Sequence, residues 1–257
     1  MTIASLPDRD LWYEDSGGDG APLVFLHSAS GGGVMWEHQR SPVRAAGFRF
    51  IVYDRVGWGR STLHANAAPG FAVDDLEALR RQAGFDRFHL VGTAAGGIVA
   101  FDYALTFREH LRSLVVANSI GGVQDESYLA LGRRLRPPEF ERLPVEIREL
   151  GPSYRAANVE GTARWSDLAR QSRPAAPLPS PQTYRNRLTF AGLESIRVPT
   201  LLLTGDADLY CPPSVLRLFA ARMRGAETVI VPETGHSAYW EQPEIFNRAI
   251  LEFFAKH

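Results

Sequence analysis

The sequence is poor in residues that mark a compartment or a partner. It holds one cysteine, Cys211, in 257 residues, so no internal disulfide can form and a reducing cytoplasm is the expected setting. It holds one lysine, Lys256; arginines supply the rest of its 28 basic side chains, and 29 acids bring the net charge to -1. That excess of arginine over lysine suits a GC-rich bacterial gene. With no basic surplus, neither nucleic acid nor an anionic membrane is an expected partner. Long apolar runs are missing too. SLVVANSI and TLLLTG fall far short of the ~20 residues that cross a bilayer. The opening MTIASLPDRDLWYEDSG is neither basic nor continuously apolar, so no secretory signal is expected. No motif indicates a metal or an organic cofactor.

What is present is alternation. Hydrophobic residues make up 45% of the chain, enough for one large soluble domain, or a domain carrying an insertion. Strand patterns run over Ile3–Leu6, Asp10–Glu14, Leu23–His27, Phe48–Asp54, Phe88–Thr93, Leu111–Asn118, Thr200–Thr204 and Thr228–Val231. Helical patterns fall between them at Trp36–Ala46, Val73–Ala83, Gly96–Leu105, Ser214–Met223 and Pro243–Phe254. Continuous apolar strands such as LVFLH are those covered on both faces. The order predicts an α/β fold, a mostly parallel sheet with helices on both sides and a ligand crevice beyond the carboxyl ends of the strands. Residues 121–197 break the rhythm. They are rich in Arg, Pro and Glu with no strand pattern, and too long for a simple loop. They are expected to form a helical cap on a core of residues 1–120 and 198–257, with residues 172–182 (SRPAAPLPSPQ) as an extended connector.

Four turns carry the chemistry. G-T-A-A-G-G, Gly92–Gly97, follows a strand and opens a helix. Gly92 and Gly96 suit a place where two backbones nearly touch. That turn holds Ala94 in a strained conformation with its side chain facing the crevice. It also aims the Ala95 N–H, at a helix N-terminus, where an oxyanion would form. H-S-A-S-G-G-G begins at His27 and is expected to supply a second such N–H from Ala29. T-G-D-A-D-L-Y-C-P carries Asp206 and Asp208, and E-T-G-H-S-A-Y-W-E-Q-P carries His236.

Together with D-R-V-G-W-G-R-S from Asp54, these motifs stand in an order that resembles the α/β-hydrolase superfamily, in its small capped esterase, lactonase and carbon–carbon hydrolase branch. The resemblance covers nearly the whole chain and implies an eight-stranded, mostly parallel sheet. It also implies a nucleophile, acid and histidine in that order. They fall at position 94, at Asp208 in its G-x-x-D-x-x-x-P setting, and at His236. Two departures stand out. Ala94 occupies the place of a serine, cysteine or aspartate nucleophile, and Ser28 follows His27 where the family usually has glycine.

In this reading His236 is a base with a pKa near neutrality. Asp208 holds its tautomer, and the Ala29 and Ala95 N–H groups each lower an oxyanion barrier by roughly 3 kcal/mol. His27, Ser28, Trp36, Tyr154, Trp165 and Tyr239 are candidates for the substrate pocket, and a small molecule is the expected partner of a monomer or homodimer. Three functions stay open. The chain is a hydrolase of small carboxylic esters, lactones or related carbonyl compounds whose nucleophile has been replaced, by design or by natural loss. Alternatively, it is a lyase or decarboxylase-like enzyme in which Asp208–His236 acts alone as base, or a non-catalytic binder. An aspartate nucleophile is excluded at position 94.

Overall fold

The alternation of apolar strands and amphipathic helices builds a single sheet. The computed structural model describes residues 2–173, 178 and 180–257. In chain order the strands are β1 (Thr2–Ser5), β2 (Arg9–Asp15), β3 (Pro22–Leu26), β4 (Arg49–Tyr53), β5 (Thr62–Leu63), β6 (Phe88–Thr93), β7 (Leu111–Ala117), β8 (Thr200–Gly205) and β9 (Glu227–Val231). The helices are α1 (Glu37–Ala45), α2 (Ala72–Gln82), α3 (Ala95–Thr106), α4 (Glu126–Leu135), α5 (Val145–Glu149), α6 (Pro152–Ala157), α7 (Val159–Gln171), α8 (Phe190–Glu194), α9 (Pro213–Ala220), α10 (Ala238–Glu241) and α11 (Pro243–Phe254).

The sheet order is β1-β2-β4-β3-β6-β7-β8-β9, with β5 paired to the side of β2. From β4 to β9 every neighbouring pair is parallel; β2 runs antiparallel to β1, β4 and β5. The expected eight strands form the main path. The ninth, β5, is two residues long, too short to leave an alternation pattern. The segment read as one helix from Trp36 to Ala46 opens instead with a tight turn of 3-10 helix, Gly33–Trp36, before α1.

Strand alternation sorts the core into two layers, one on each face. Val24, Leu26, Leu90, Leu114 and Val116 face a cluster completed by α2, α3 and α9. Leu23, Phe25, Val91, Val115 and Leu201 face the other, completed by α1 and α11. Between β7 and β8 the described residues form helices α4–α8 and no strand. These helices are not a separate body. Tyr128 of α4 and Phe190 and Leu193 of α8 join the first cluster, while Trp165 and Leu168 of α7 join the second. Of the connector expected over residues 172–182, residues 174–177 and Pro179 lie outside the described residues.

The register brings Leu26 beside Gly92, Thr93 beside Ala117 and Ala117 beside Leu203. The loops after β3, β6, β7 and β8 therefore leave the sheet at one level. At the β6–α3 turn the packing is closest. A Cβ on Gly96 would meet the carbonyl oxygen of Leu26 at 2.3 Å, and one on Gly92 would meet that of Gly96 at 2.4 Å.

Gly96→Ala is expected to cost about 3 kcal/mol or more of unfolding free energy, because only backbone stands where the methyl must go. Gly225→Ala has open space around it, with φ +82, and should cost only about 1 kcal/mol of left-handed strain. Urea unfolding of the two variants measures the difference; equal losses would refute this account of the turn.

Candidate active site

Ala94 is the residue between β6 and α3, at φ 50 and ψ -115. A non-glycine residue in this region stores about 1–3 kcal/mol of strain. Neighbouring groups hold it there. Its N–H donates to Ala117 O at 3.0 Å, and its carbonyl accepts from Gly97 N at 3.0 Å and from the Ser119 hydroxyl at 2.7 Å. The Ala95 N–H opens α3, where no carbonyl of the preceding turn can reach it. Among the described residues neither it nor the Ala29 N–H is engaged in a hydrogen bond.

Two strand-end loops bring Asp208 and His236 together. The His236 Nδ1 lies 2.9 Å from both carboxylate oxygens of Asp208. Asp208 is buried, and its Oδ1 also accepts the N–H groups of Tyr210 at 2.8 Å and Cys211 at 2.9 Å. Burial pushes this carboxyl up, but the His236 ring and the donated hydrogen bonds outweigh it and hold it below the ordinary carboxylate range. Burial pushes the His236 imidazole down. The Asp208 charge and hydrogen bond, reinforced by Glu149 and Glu241, reverse this and leave it above the usual histidine value. With Nδ1 committed to Asp208, Nε2 is the free basic nitrogen. Asp206, the rival acid, is exposed and accepts only the Thr234 N–H, at 3.2 Å.

Several residues expected at the pocket are packed against core side chains. Trp36 and Tyr239 are buried in the second core layer with ring centroids 4.6 Å apart, and Trp165 joins the same cluster. Tyr154 packs between α6 and α7 and accepts from Asn158 Nδ2 at 3.3 Å. The elements that carry these rings turn them toward the second core layer. The His27 ring is fully used by backbone, donating from Nδ1 to Ser28 O at 2.7 Å and accepting the Arg55 N–H at Nε2, 3.0 Å away. These two bonds tie the β3 loop to the β4 loop. Burial holds the ring well below the usual histidine pKa. Ser28 is buried in that loop, its hydroxyl 3.0 Å from that of Ser30.

Four further groups stand near the pair; Tyr210 and Glu241 lie within the two quoted turns, Asn118 and Glu149 outside every motif. Asn118, at φ 47, donates from Nδ2 to Asp208 Oδ2 at 3.0 Å and to Gly235 O at 3.1 Å. Its β-strand-end position left it looking like ordinary core. The Tyr210 ring lies against His236 with centroids 4.4 Å apart. Glu241 accepts the N–H groups of Gly151, Gly235 and Ser237 at 2.7–3.1 Å, tying the helical segment to the histidine loop; burial pushes its carboxyl up to about 7. Glu149 receives the His236 N–H on its carbonyl at 2.8 Å. Among the described residues no group of three or more His, Cys, Asp or Glu has a geometry that could hold a metal ion, and no helix is long and apolar enough to cross a membrane.

The alpha/beta hydrolase fold family matches the chain over residues 21–243. A 2-hydroxy-6-oxononadienedioate/2-hydroxy-6-oxononatrienedioate hydrolase of Burkholderia vietnamiensis is 29% identical, over 95% of this chain and 90% of its own. A thermophilic esterase of Thermogutta terrifontis, solved with malate bound, superimposes with a TM-score of 0.82 at 26% identity, covering 99% of this chain and 97% of the esterase. An enol-lactonase of Burkholderia xenovorans has a TM-score of 0.77 and covers 99% of this chain and all of its own, but at 20% identity it speaks for the fold alone.

Asn118→Ala removes two donors from buried acceptors, which is expected to cost about 2–3 kcal/mol. Urea unfolding measures this loss, and a change under about 0.5 kcal/mol would show that the Asn118 bridge is not needed.

Proposed function

The chain belongs to the alpha/beta hydrolase fold family, and from that premise we propose that it hydrolyses a small ester, lactone or related carbonyl compound. In this reading His236, oriented by Asp208, activates water directly. The observation that carries it is the intact Asp208–His236 contact, 2.9 Å to each oxygen, beside a strained turn whose residue is Ala94. With no oxygen or sulfur on that side chain, the turn cannot form an acyl-enzyme. Its methyl leaves space for a water. The imidazole takes a proton from that water through Nε2 as the water oxygen attacks the carbonyl carbon. Asp208 fixes the ring and stabilises the imidazolium. The free N–H groups of Ala29 and Ala95 are the donors assigned to the oxyanion.

The relatives' names set the first substrates to try: simple esters, lactones, and carbonyl compounds that carry a carboxylate. The described residues of the segment 121–197 are read here as the cap, held to the histidine loop through Glu149 and Gly151. A second reading keeps the same base and changes what it deprotonates. With Ala94 making room, His236 takes a proton from the substrate itself, as in a lyase or decarboxylase. Solvent oxygen separates the two. Hydrolysis in ¹⁸O-water places the label in the carboxylate product, and elimination does not.

Against p-nitrophenyl acetate, His236→Ala is expected to lower turnover about 100-fold or more, the ordinary contribution of a general base. Ala94→Ser, which completes the nucleophile–histidine–aspartate set, is expected to raise it by about 100-fold or more. If the serine variant gains nothing, the turn is not a latent nucleophile position. The pH profile gives a separate check. Only the neutral imidazole can accept the proton, and His236 is raised above 6.5. Activity should therefore fall as pH drops through a value above 6.5. Asp208→Asn removes the charge that raises it, so the limb should move to lower pH. An unmoved limb would assign the titration to another group.

A further inference from the structure

We propose that a cleft at the amino ends of β6, β7 and β8 binds a compact phosphate-rich anion, at the opposite end of the sheet from Asp208 and His236. The cleft has a volume of about 340 Å³, and four arginines line it: Arg87, Arg108, Arg112 and Arg197. They come from four separate places in the chain. Arg87 precedes β6, Arg108 follows α3, Arg112 is the second residue of β7, and Arg197 stands three residues before β8. The parallel register sets Phe88 beside Leu111 and Leu114 beside Thr200, which gathers these starts at one edge. Leu105, Ile196 and Val198 supply apolar wall between the charges.

What favours a ligand over a merely solvated face is the missing counter-charge. Among the described residues the lining holds no aspartate or glutamate. Arg87 donates to the Leu111 carbonyl at 3.1 Å and Arg197 to the Glu194 carbonyl at 2.6 Å. These neutral acceptors aim the two side chains and leave their charge in place. Arg108 and Arg112 are exposed and make no side-chain hydrogen bond among the described residues. The acids nearest in sequence are engaged elsewhere. Asp86 and Glu109 lie 3.5 and 3.9 Å from His110, and Glu194 pairs with Arg222 at 3.1 Å. In other parts of the chain arginines meet acids directly, as Arg9 meets Asp75 at 2.9 Å and Arg185 meets Asp74 at 2.6 Å. With 28 basic and 29 acidic side chains overall, four such arginines around one cleft are a segregation of charge. The buried His89 of β6 responds to it: burial first, then the charges of Arg112, His257 and Arg87, hold its pKa down to about 4.

Like charges on a concave wall repel one another and focus their field on an anion that enters. A guanidinium fork matches two oxygens of a phosphate. A lone carboxylate would neutralise one arginine of the four, whereas a phosphate chain carries charge enough for several. The ligand chemistry is therefore a short phosphate chain, either free or carried on a small organic molecule that lies along the apolar wall. This site is independent of the reaction read above, since it shares no residue with the Asp208–His236 end of the sheet.

The test is calorimetric titration of the full chain with pyrophosphate and with ADP at fixed ionic strength. Each is expected to bind at a single site, and the double variant Arg108→Gln with Arg112→Gln to lose about tenfold or more in affinity. A control pair, Arg44→Gln with Arg248→Gln, removes the same charge from exposed positions on α1 and α11, which pack on the other face of the sheet from α3. It should change affinity less than about twofold. Tighter binding of ADP would support an organic carrier on the apolar wall, and equal binding would support the phosphate chain alone. No binding of either at millimolar concentration, or an equal loss in the two pairs, would overturn the site. So would a single-stranded oligonucleotide that binds through Arg108 and Arg112 while neither small anion does. One measurement needs no variant: millimolar pyrophosphate should raise the unfolding midpoint of the unmodified chain, and sodium chloride of the same ionic strength should not. Equal rises would overturn the proposal.

Discussion

The rest of the site depends on one buried contact, the carboxylate of Asp208 against the imidazole of His236, 28 residues apart in sequence. A carboxylate out of water is costly unless its oxygens are satisfied, and the surrounding chain is shaped to satisfy them. Two loop N–H groups and the Asn118 amide do so. Each requirement reaches outward. Asn118 must adopt a positive φ to reach both Asp208 and Gly235. Gly205 and Gly235 must be glycines so that the β8 and β9 loops can close on each other. A Cβ on Gly205 would fall 2.0 Å from Thr234 O, and one on Gly235 would fall 2.4 Å from Gly151 N. The second of these contacts brings the helical segment down onto the histidine loop.

Around the single imidazole stand three buried carboxyls of different character. Asp208 is held ionised by its donors. Glu241 carries three backbone N–H groups and serves to fasten loops. Glu149 has a free oxygen. The same functional group thus stands in three settings, distinguished by how many hydrogen bonds reach it. The Ala94 turn fits this picture. It retains its strained geometry and the unengaged Ala95 N–H without a reactive side chain at position 94.

Much of this was legible before any coordinates. The strands and most of the helices follow from apolar periodicity, and the Asp208–His236 pair was implied by the resemblance of the motifs and their order to a known family. The burial of the aromatics was not legible, for a physical reason. Trp36 and Tyr239 lie close in sequence to site motifs, but a helix turns by about 100° per residue, so two or three positions decide between crevice and core. His27 was similarly ambiguous, since its ring bonds depend on a second loop, at Arg55. Glu149 left no signal at all. One glutamate among the acids of an arginine- and glutamate-rich segment looks like a solvated face until tertiary packing buries it.

The sequence by itself determined the alternation, the layers and the close-packed glycine turn, because these depend on local periodicity and on whether a residue has a Cβ. It also determined that position 94 has no nucleophile. Only the tertiary structure decided which aromatics are core, and that the Asn118 amide and the Glu149 carbonyl meet the Asp208–His236 pair. Those outcomes depend on the directions in which separate loops leave the sheet, and direction is a property of the packed whole, to which no single segment's pattern responds.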